Sequence, residues 1–385
     1  MDRGVGISTA PKVQVLPKSS LNDEDLHIKA VGLRPYQRVT LKAHVFTESG
    51  RRRFESHAHY LADDKGTVEV ERAPSLGGSY QGIEPMGLLW SLEPAPEIAH
   101  KRPRLVKRNI QKPFIYTFQL VDDVENIVMH STSVERWYLA SYVERHLVQH
   151  GIADGYLYIP KKKGSSDPMP VILDIRGAVP FLVEDRPSLM ASHGFAVFSI
   201  DYFRKMSADW DFFGDIPKYF DLKIFLDLFD FIANHPRLDS SRVGIVSSCL
   251  GSVLALQAAA RLKMIPIRCV AATGCLDILS YIQRWYQVTR RNNGRPLQMK
   301  ERIERVGKGH LLETIHLEGA GHYIDAPYLP LCLQTIVGGE PRLHAYALNK
   351  AWRKTINWFR SKLNVTETYR VDWLDSPNHF VSSRM

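Results

Sequence analysis

Along the first third of the chain, apolar and polar residues alternate with period two. Val39, Leu41, Ala43 and Val45 form one apolar row, and Phe54, Ser56, Ala58 and Tyr60 another. Val68 with Val70, and Phe114, Tyr116, Phe118 and Leu120, continue the series. Turn signals separate the rows: Glu48–Gly50, Asp63–Gly66 and Ser75–Gly78. Successive strand residues face opposite sides, so short alternating runs with regular turns predict an antiparallel β-sandwich.

The pattern changes near residues 140–150. From residue 155 onward, continuous apolar runs ending in small residues replace the alternation: 170–177, 195–202, 242–248 and 267–274. Between them lie segments of helical period, Tyr219–Ala233 and Leu250–Lys263. Buried strands alternating with helices predict a doubly wound, mostly parallel sheet with helices on both faces. A further strand is predicted at Leu311–Leu317, followed by an amphipathic helix at Arg342–Leu363. The domain plan is therefore a flexible N-terminus (1–20), a β-sandwich (21–145), an α/β domain (146–363) and a tail (364–385).

Composition narrows the class without naming it. Of 385 residues 44% are hydrophobic and 24% charged, which excludes wholesale disorder and collagen-like chains. No run approaches the roughly 18 apolar residues of a membrane helix. The net charge of +9 suits either an ordinary basic surface or an anionic ligand. No zinc-finger, aromatic-ribonucleoprotein or basic-zipper pattern accompanies it, so no nucleic-acid partner is expected. Four cysteines (Cys249, Cys269, Cys275, Cys332) lack C-x-x-C spacing and do not form a disulfide framework. The first residues lack the apolar core of a secretory signal, and a reducing compartment is expected.

The sharpest chemical signal is Ser247-Ser248-Cys249-Leu250-Gly251, between a buried strand and an apolar helix. Small residues two positions either side of Cys249 match a nucleophile elbow. The nucleophile sits in a strained turn, and larger side chains at those two positions would collide. The helix N-terminus just after it favours a thiolate. A buried cysteine at a strand end is the plainer alternative. A partner base should lie on a loop after the last strand, and Gly319-Ala320-Gly321-His322 supplies it in the chain order of an α/β-hydrolase. His316, inside the predicted strand, reads as structural.

The third member is harder to place. About 70 residues separate Cys249 from His322, barely enough for the helices and strands that normally lie between elbow and His loop. Residues 280–310 contain no Asp and no apolar β-run; their acidic residues are Glu301 and Glu304. The sheet is expected to be shortened around its seventh strand. Asp277, just past the preceding strand, is the candidate orienting acid, or else the cap of the next helix. The oxyanion donors are expected at the Leu250 N–H and at Gly177 or Ala178, unless the latter pair is an ordinary turn.

With these residues in place, the chain resembles the acyl-CoA thioesterases and bile acid-CoA:amino acid N-acyltransferases over roughly residues 20–275 and 300–363. The matching segments are 77–96, 133–140, the elbow around Cys249, 319–332 and 338–352. The resemblance implies a β-sandwich followed by an α/β-hydrolase domain, and a covalent acyl-enzyme formed from acyl-CoA. By motif it places the nucleophile on Cys249 and the base on His322. The family's acidic residue lies in a strand-and-turn segment with no counterpart here. In this family Ser resembles the thioesterase branch and Cys the amino-acid-conjugating branch. The chemistry agrees, because an acyl-Cys is still a thioester, open to amines such as glycine or taurine as well as to water. No metal or organic cofactor is implied. Ser383-Arg384-Met385 resembles a peroxisomal address, so an import receptor and a peroxisomal or, failing that, cytoplasmic location are expected.

Overall fold

A computed structural model describes residues 10–101, 103–151, 153–161, 167–177, 182–201, 222–262, 264–274, 304–305, 307, 309–331 and 338–366. Ala178, Cys275, Asp277, Glu301, Cys332 and the tail with Ser383–Met385 lie outside them. The described residues fall into two compact units, one up to Val143 and one from Glu144.

The first unit is a β-sandwich. Strands β1 (Lys12–Leu16), β3 (His27–Val31) and β6 (Val68–Glu69) form one sheet in the order β1-β3-β6. The larger sheet contains β2 (Ser19–Leu21), β4 (Arg38–Phe46), β5 (Arg53–Leu61), β7 (Gly77–Gly78), β8 (Glu93–Pro94), β9 (Phe114–Asp122) and β10 (Val128–Trp137). Its main path runs β2-β10-β9-β4-β5-β7. The period-two rows behave as read: Leu41 pairs with Ala58 on one side and Leu120 on the other, and all three are buried. Ala43, Ser56 and Phe118 form the next buried level. A one-residue slip would turn every such row to water, so the register is strongly specified. Three local details differ from expectation. Lys12–Leu16, within the stretch expected to be flexible, forms β1 because its alternating Val13 and Val15 are buried and it pairs with β3. Ser75–Gly78 is partly strand, because β7 pairs with β5. β2 runs parallel to β10, since the chain reaches it from the other sheet and not through a hairpin.

The second unit is an α/β-hydrolase fold. Its strands are β11 (Val143–His150), β12 (Ala153–Pro160), β13 (Met169–Ile175), β14 (Ala196–Ile200), β15 (Leu238–Ser248) and β16 (Ile267–Thr273), in the order β11-β12-β14-β13-β15-β16. Its helices are α1 (Asp185–Ser192), α2 (Lys223–Asn234), α3 (Leu250–Arg261) and α4 (Pro341–Lys362). β14, β13, β15 and β16 are mutually parallel, while β12 runs antiparallel to β14. The few residues between β12 and β13 are too short for a helical crossover, which takes a dozen or more. Val243 and Ile245 join the core under α2 and α3. Gly244, between them, faces the other way, where a Cβ would stand 2.8 Å from Phe359 of α4. Helices therefore cover both faces, as the unbroken apolar strands require.

This topology positions a site. The chain leaves β13 to one side for β14 and returns to the other side for β15. The strand order reverses at the C-terminal ends of β13 and β15, the crevice an open α/β sheet offers to ligands.

One expected element is absent. Residues 312–317 form no strand, and Leu311 and Ile315 are exposed. A strand needs a neighbour to pair with, and among the described residues the sheet ends at β16. His316 is accordingly exposed, not a strand residue.

Candidate active site

Cys249 stands where β15 becomes α3, with φ 53° and ψ −124°. A non-glycine residue there carries roughly 1–3 kcal/mol of strain and persists only where its surroundings fix it. The fixing groups come from β16. The Cys249 N–H donates to the Thr273 carbonyl at 2.9 Å, and the Ser252 hydroxyl donates to the same carbonyl at 3.0 Å. The Thr273 hydroxyl in turn donates to the Ser247 carbonyl at 3.2 Å. Thr273 and Ser252 carried no signal in the sequence, because their role depends on the pairing of β15 with β16.

The small residues around the elbow are sterically required. Ser247 is fully buried. A Cβ on Gly251 would lie 2.5 Å from the carbonyl oxygens of Ile175 and Arg176, closer than real Cβ atoms approach. A Cβ on Gly177 would lie 2.6 Å from Cys249 Cβ and 3.2 Å from Sγ. Gly177 therefore brings its bare backbone against the sulfur, where an oxyanion donor would have to be. Leu250 opens α3, and the first N–H groups of a helix have no partner within it.

His322 lies at the same strand end. Gly274 follows Thr273 with φ 58°, and a Cβ on it would stand 3.0 Å from His322 Cε1 and 3.2 Å from Nδ1. The ring thus rests on the residue next to the one that holds Cys249. Burial lowers the His322 pKa below its ordinary 6.5, so the imidazole is neutral at pH 7 and able to accept a proton. Among the described residues no carboxylate hydrogen-bonds or pairs with it, and Asp277 lies outside them.

The loop bearing His322 is anchored by the N-terminal region of α4. Glu340 caps that helix, its carboxylate accepting the Arg342 and Leu343 N–H groups at 3.2 and 2.7 Å. The Glu340 N–H donates to the Gly319 carbonyl at 2.9 Å. One turn on, fully buried His344 accepts the Gly321 N–H on Nδ1 at 3.0 Å. Gly321 also packs so tightly on Gly338 that a Cβ would meet its carbonyl oxygen at 1.9 Å. The two glycine-rich segments of the sequence thus support one another, and His344 is a site residue the sequence reading passed over.

The other thiols differ in kind. Cys269 is buried inside β16, and burial pushes its pKa up to about 12. Cys275 and Cys332 are outside the described residues. No group of three or more His, Cys, Asp or Glu side chains among the described residues is arranged to hold a metal ion. No described helix is long and apolar enough to cross a membrane.

Comparison with known proteins places the chain in a family. Residues 23–150 match the acyl-CoA thioester hydrolase/BAAT N-terminal region, and residues 289–365 match the BAAT/acyl-CoA thioester hydrolase C-terminal family. The chain is 30% identical to mouse acyl-coenzyme A amino acid N-acyltransferase 1 over 430 aligned positions, covering 91% of this chain and 98% of the relative. It is 30% identical to human bile acid-CoA:amino acid N-acyltransferase, covering 90% and 96%. Identity to human mitochondrial acyl-coenzyme A thioesterase 2 is also 30%, covering 89% and 82%. An alignment of 430 positions exceeds the 385 residues of this chain, so the mouse relative carries segments that this chain lacks.

Proposed function

Because this chain belongs to the family of acyl-CoA thioester hydrolases and bile acid-CoA:amino acid N-acyltransferases, we propose that it cleaves acyl-CoA thioesters through an acyl-Cys249 intermediate and passes the acyl group to an amino acid. The observation that carries the reading is the positive-φ Cys249 at a strand-to-helix turn, with His322 against Gly274 at the end of the adjoining strand.

In the proposed reaction His322 takes the thiol proton as Cys249 Sγ attacks the thioester carbonyl carbon. The Leu250 N–H and the Gly177 backbone stabilise the oxyanion. The bond from carbonyl carbon to CoA sulfur breaks, and CoA departs with the proton from His322. The acyl-enzyme is still a thioester. An amine such as glycine or taurine attacks it, giving its proton to His322, which returns it to the Cys249 sulfur. Water in place of the amine gives hydrolysis. None of these steps calls on a metal or organic cofactor.

Incubation with a long-chain or bile acyl-CoA, with and without glycine or taurine, tests the proposal. Amide product and an acyl adduct on Cys249 support it. The equal identity to thioesterases makes a hydrolase the second reading, and CoA release indifferent to added amine would favour it. An adduct on another cysteine would overturn both.

A further inference from the structure

We propose that Arg176 is a positioning residue that ties the loop of His322 to the strand end carrying Gly177, and so sets the distance between base and nucleophile. Arg176 directly precedes Gly177, and its carbonyl oxygen packs against Gly251 of the elbow. Its side chain leaves that strand end and donates from Nη1 to Asp325 Oδ2 at 2.6 Å. Asp325 is three residues past His322. Nη2 of Arg176 donates to Asp185 at the start of α1. Nε lies 3.8 Å from Asp174, whose carboxylate takes the Arg186 Nε at 2.6 Å and the Ser199 hydroxyl at 3.1 Å. The guanidinium is only 15% exposed and Asp174 not at all.

Such a cluster is poorly explained as a source of stability. Burying charges costs as much as their attraction returns, and apolar residues of equal size often do better. What a planar guanidinium shared between two carboxylates supplies is fixed geometry. That geometry falls on the segment needing it. His344 pins the loop before His322, at Gly321, and Arg176 pins it after, at Asp325. With both anchors the imidazole has a defined place; with one it pivots. Catalytic constellations tolerate displacements of only about 0.5 Å.

The proposal rests on the pairing of Cys249 with His322, so the experiment measures that pairing without acyl-CoA. Chloroacetamide alkylation of Cys249 in the full chain is followed by mass spectrometry from pH 5 to 9. His322→Ala shows how far the base shifts the profile towards low pH. Asp325→Ala cuts the strap yet leaves Arg176 its partner Asp185. Its profile is expected to move towards that of His322→Ala, with alkylation at pH 6.5 slower by about tenfold. Arg176→Lys keeps the charge but cannot span both carboxylates, and should do the same if Asp325→Ala does not fold. Asp325→Glu should restore most of the rate. Asp239→Ala removes a comparable ion pair, to Arg242 at the other end of β15, and should leave the profile unchanged. A wild-type profile in both Asp325→Ala and Arg176→Lys, or an equal shift in Asp239→Ala, would overturn the role of Arg176. A wild-type profile in His322→Ala would remove the Cys–His pairing itself, and the proposal with it.

Discussion

Replacing His344 with Leu tests how much of the base loop's order comes from one buried imidazole. Nδ1 accepts the Gly321 N–H, so the ring's proton is on Nε2, which is buried without a hydrogen-bond partner among the described residues. Leucine has a similar size and opens little cavity. The loss is the acceptor of a half-buried N–H, worth at most about 1–3 kcal/mol. Removing the poorly satisfied Nε2 recovers part of that. The net expectation at pH 7.5 is a destabilisation of about 1–2 kcal/mol.

The pH dependence makes the prediction sharp. Burial lowers the His344 pKa, so below pH 6.5 the unfolded chain binds a proton that the native ring refuses. Native stability from this group is full above 6.5 and falls as pH drops, by at most about 1.4 kcal/mol per unit. The leucine variant has no such loss. His322 is also depressed by burial, but it is present in both proteins and cancels in the comparison. The gap between wild type and variant should therefore shrink between pH 7.5 and 5.5, by no more than about 1.4 kcal/mol per pH unit. Urea unfolding by tryptophan fluorescence at the two pH values measures it. A gap that stays constant or widens towards acid would refute the assignment of a buried neutral ring. Alkylation of Cys249 should also slow at pH 7.5.

Three further outcomes follow from the geometry. Gly274→Ala places a Cβ 3.0 Å from His322 Cε1 at φ 58°; a stability loss of about 1 kcal/mol and slower Cys249 alkylation are expected, and unchanged alkylation would detach His322 from this strand end. Cys249→Ser should shift products from amide towards free acid, because an oxygen ester resists aminolysis; an unchanged ratio measured by mass spectrometry would remove that argument. Asp277→Asn is expected to keep turnover within about tenfold and cost about 1 kcal/mol or less, as a helix cap would, whereas a loss near 10⁴ would identify it as the orienting acid.

The parts of the molecule legible in the sequence are those set by local constraints. Leu41, Ala43 and Val45 announce a strand because one face is buried along its whole length. Ser247 and Gly251 announce the elbow because their spacing about the nucleophile is itself a short sequence pattern, although the collision Gly251 avoids is with Ile175 and Arg176 of the neighbouring strand end. The failures are long-range. Leu311, Leu312, Ile315 and Leu317 have the composition of a strand, but composition cannot show whether a neighbouring edge awaits them. His344 looks like any polar residue near a helix start, and its partner Gly321 is brought to it only by the folded loop. Arg176 and Asp325 are 149 residues apart, and nothing in either neighbourhood signals the other.

The same reasoning bears on the orienting carboxylate, which no described residue supplies. A serine nucleophile is a very weak acid and depends on a base kept in the right tautomer by a third residue, whose loss costs about 10⁴ in turnover. A cysteine thiol has a pKa near 8.5, so an imidazole needs little assistance to deprotonate it. Orientation is then the remaining task. Here Gly274 beneath the ring, His344 before the loop's tip and Arg176 after it are placed to perform it. The shortening expected between β16 and the His loop would thus be more compatible with Cys249 than with serine. It follows that Cys249→Ser should lose far more turnover in this chain than the change of nucleophile alone explains, because it restores the need for an acid that no described residue supplies.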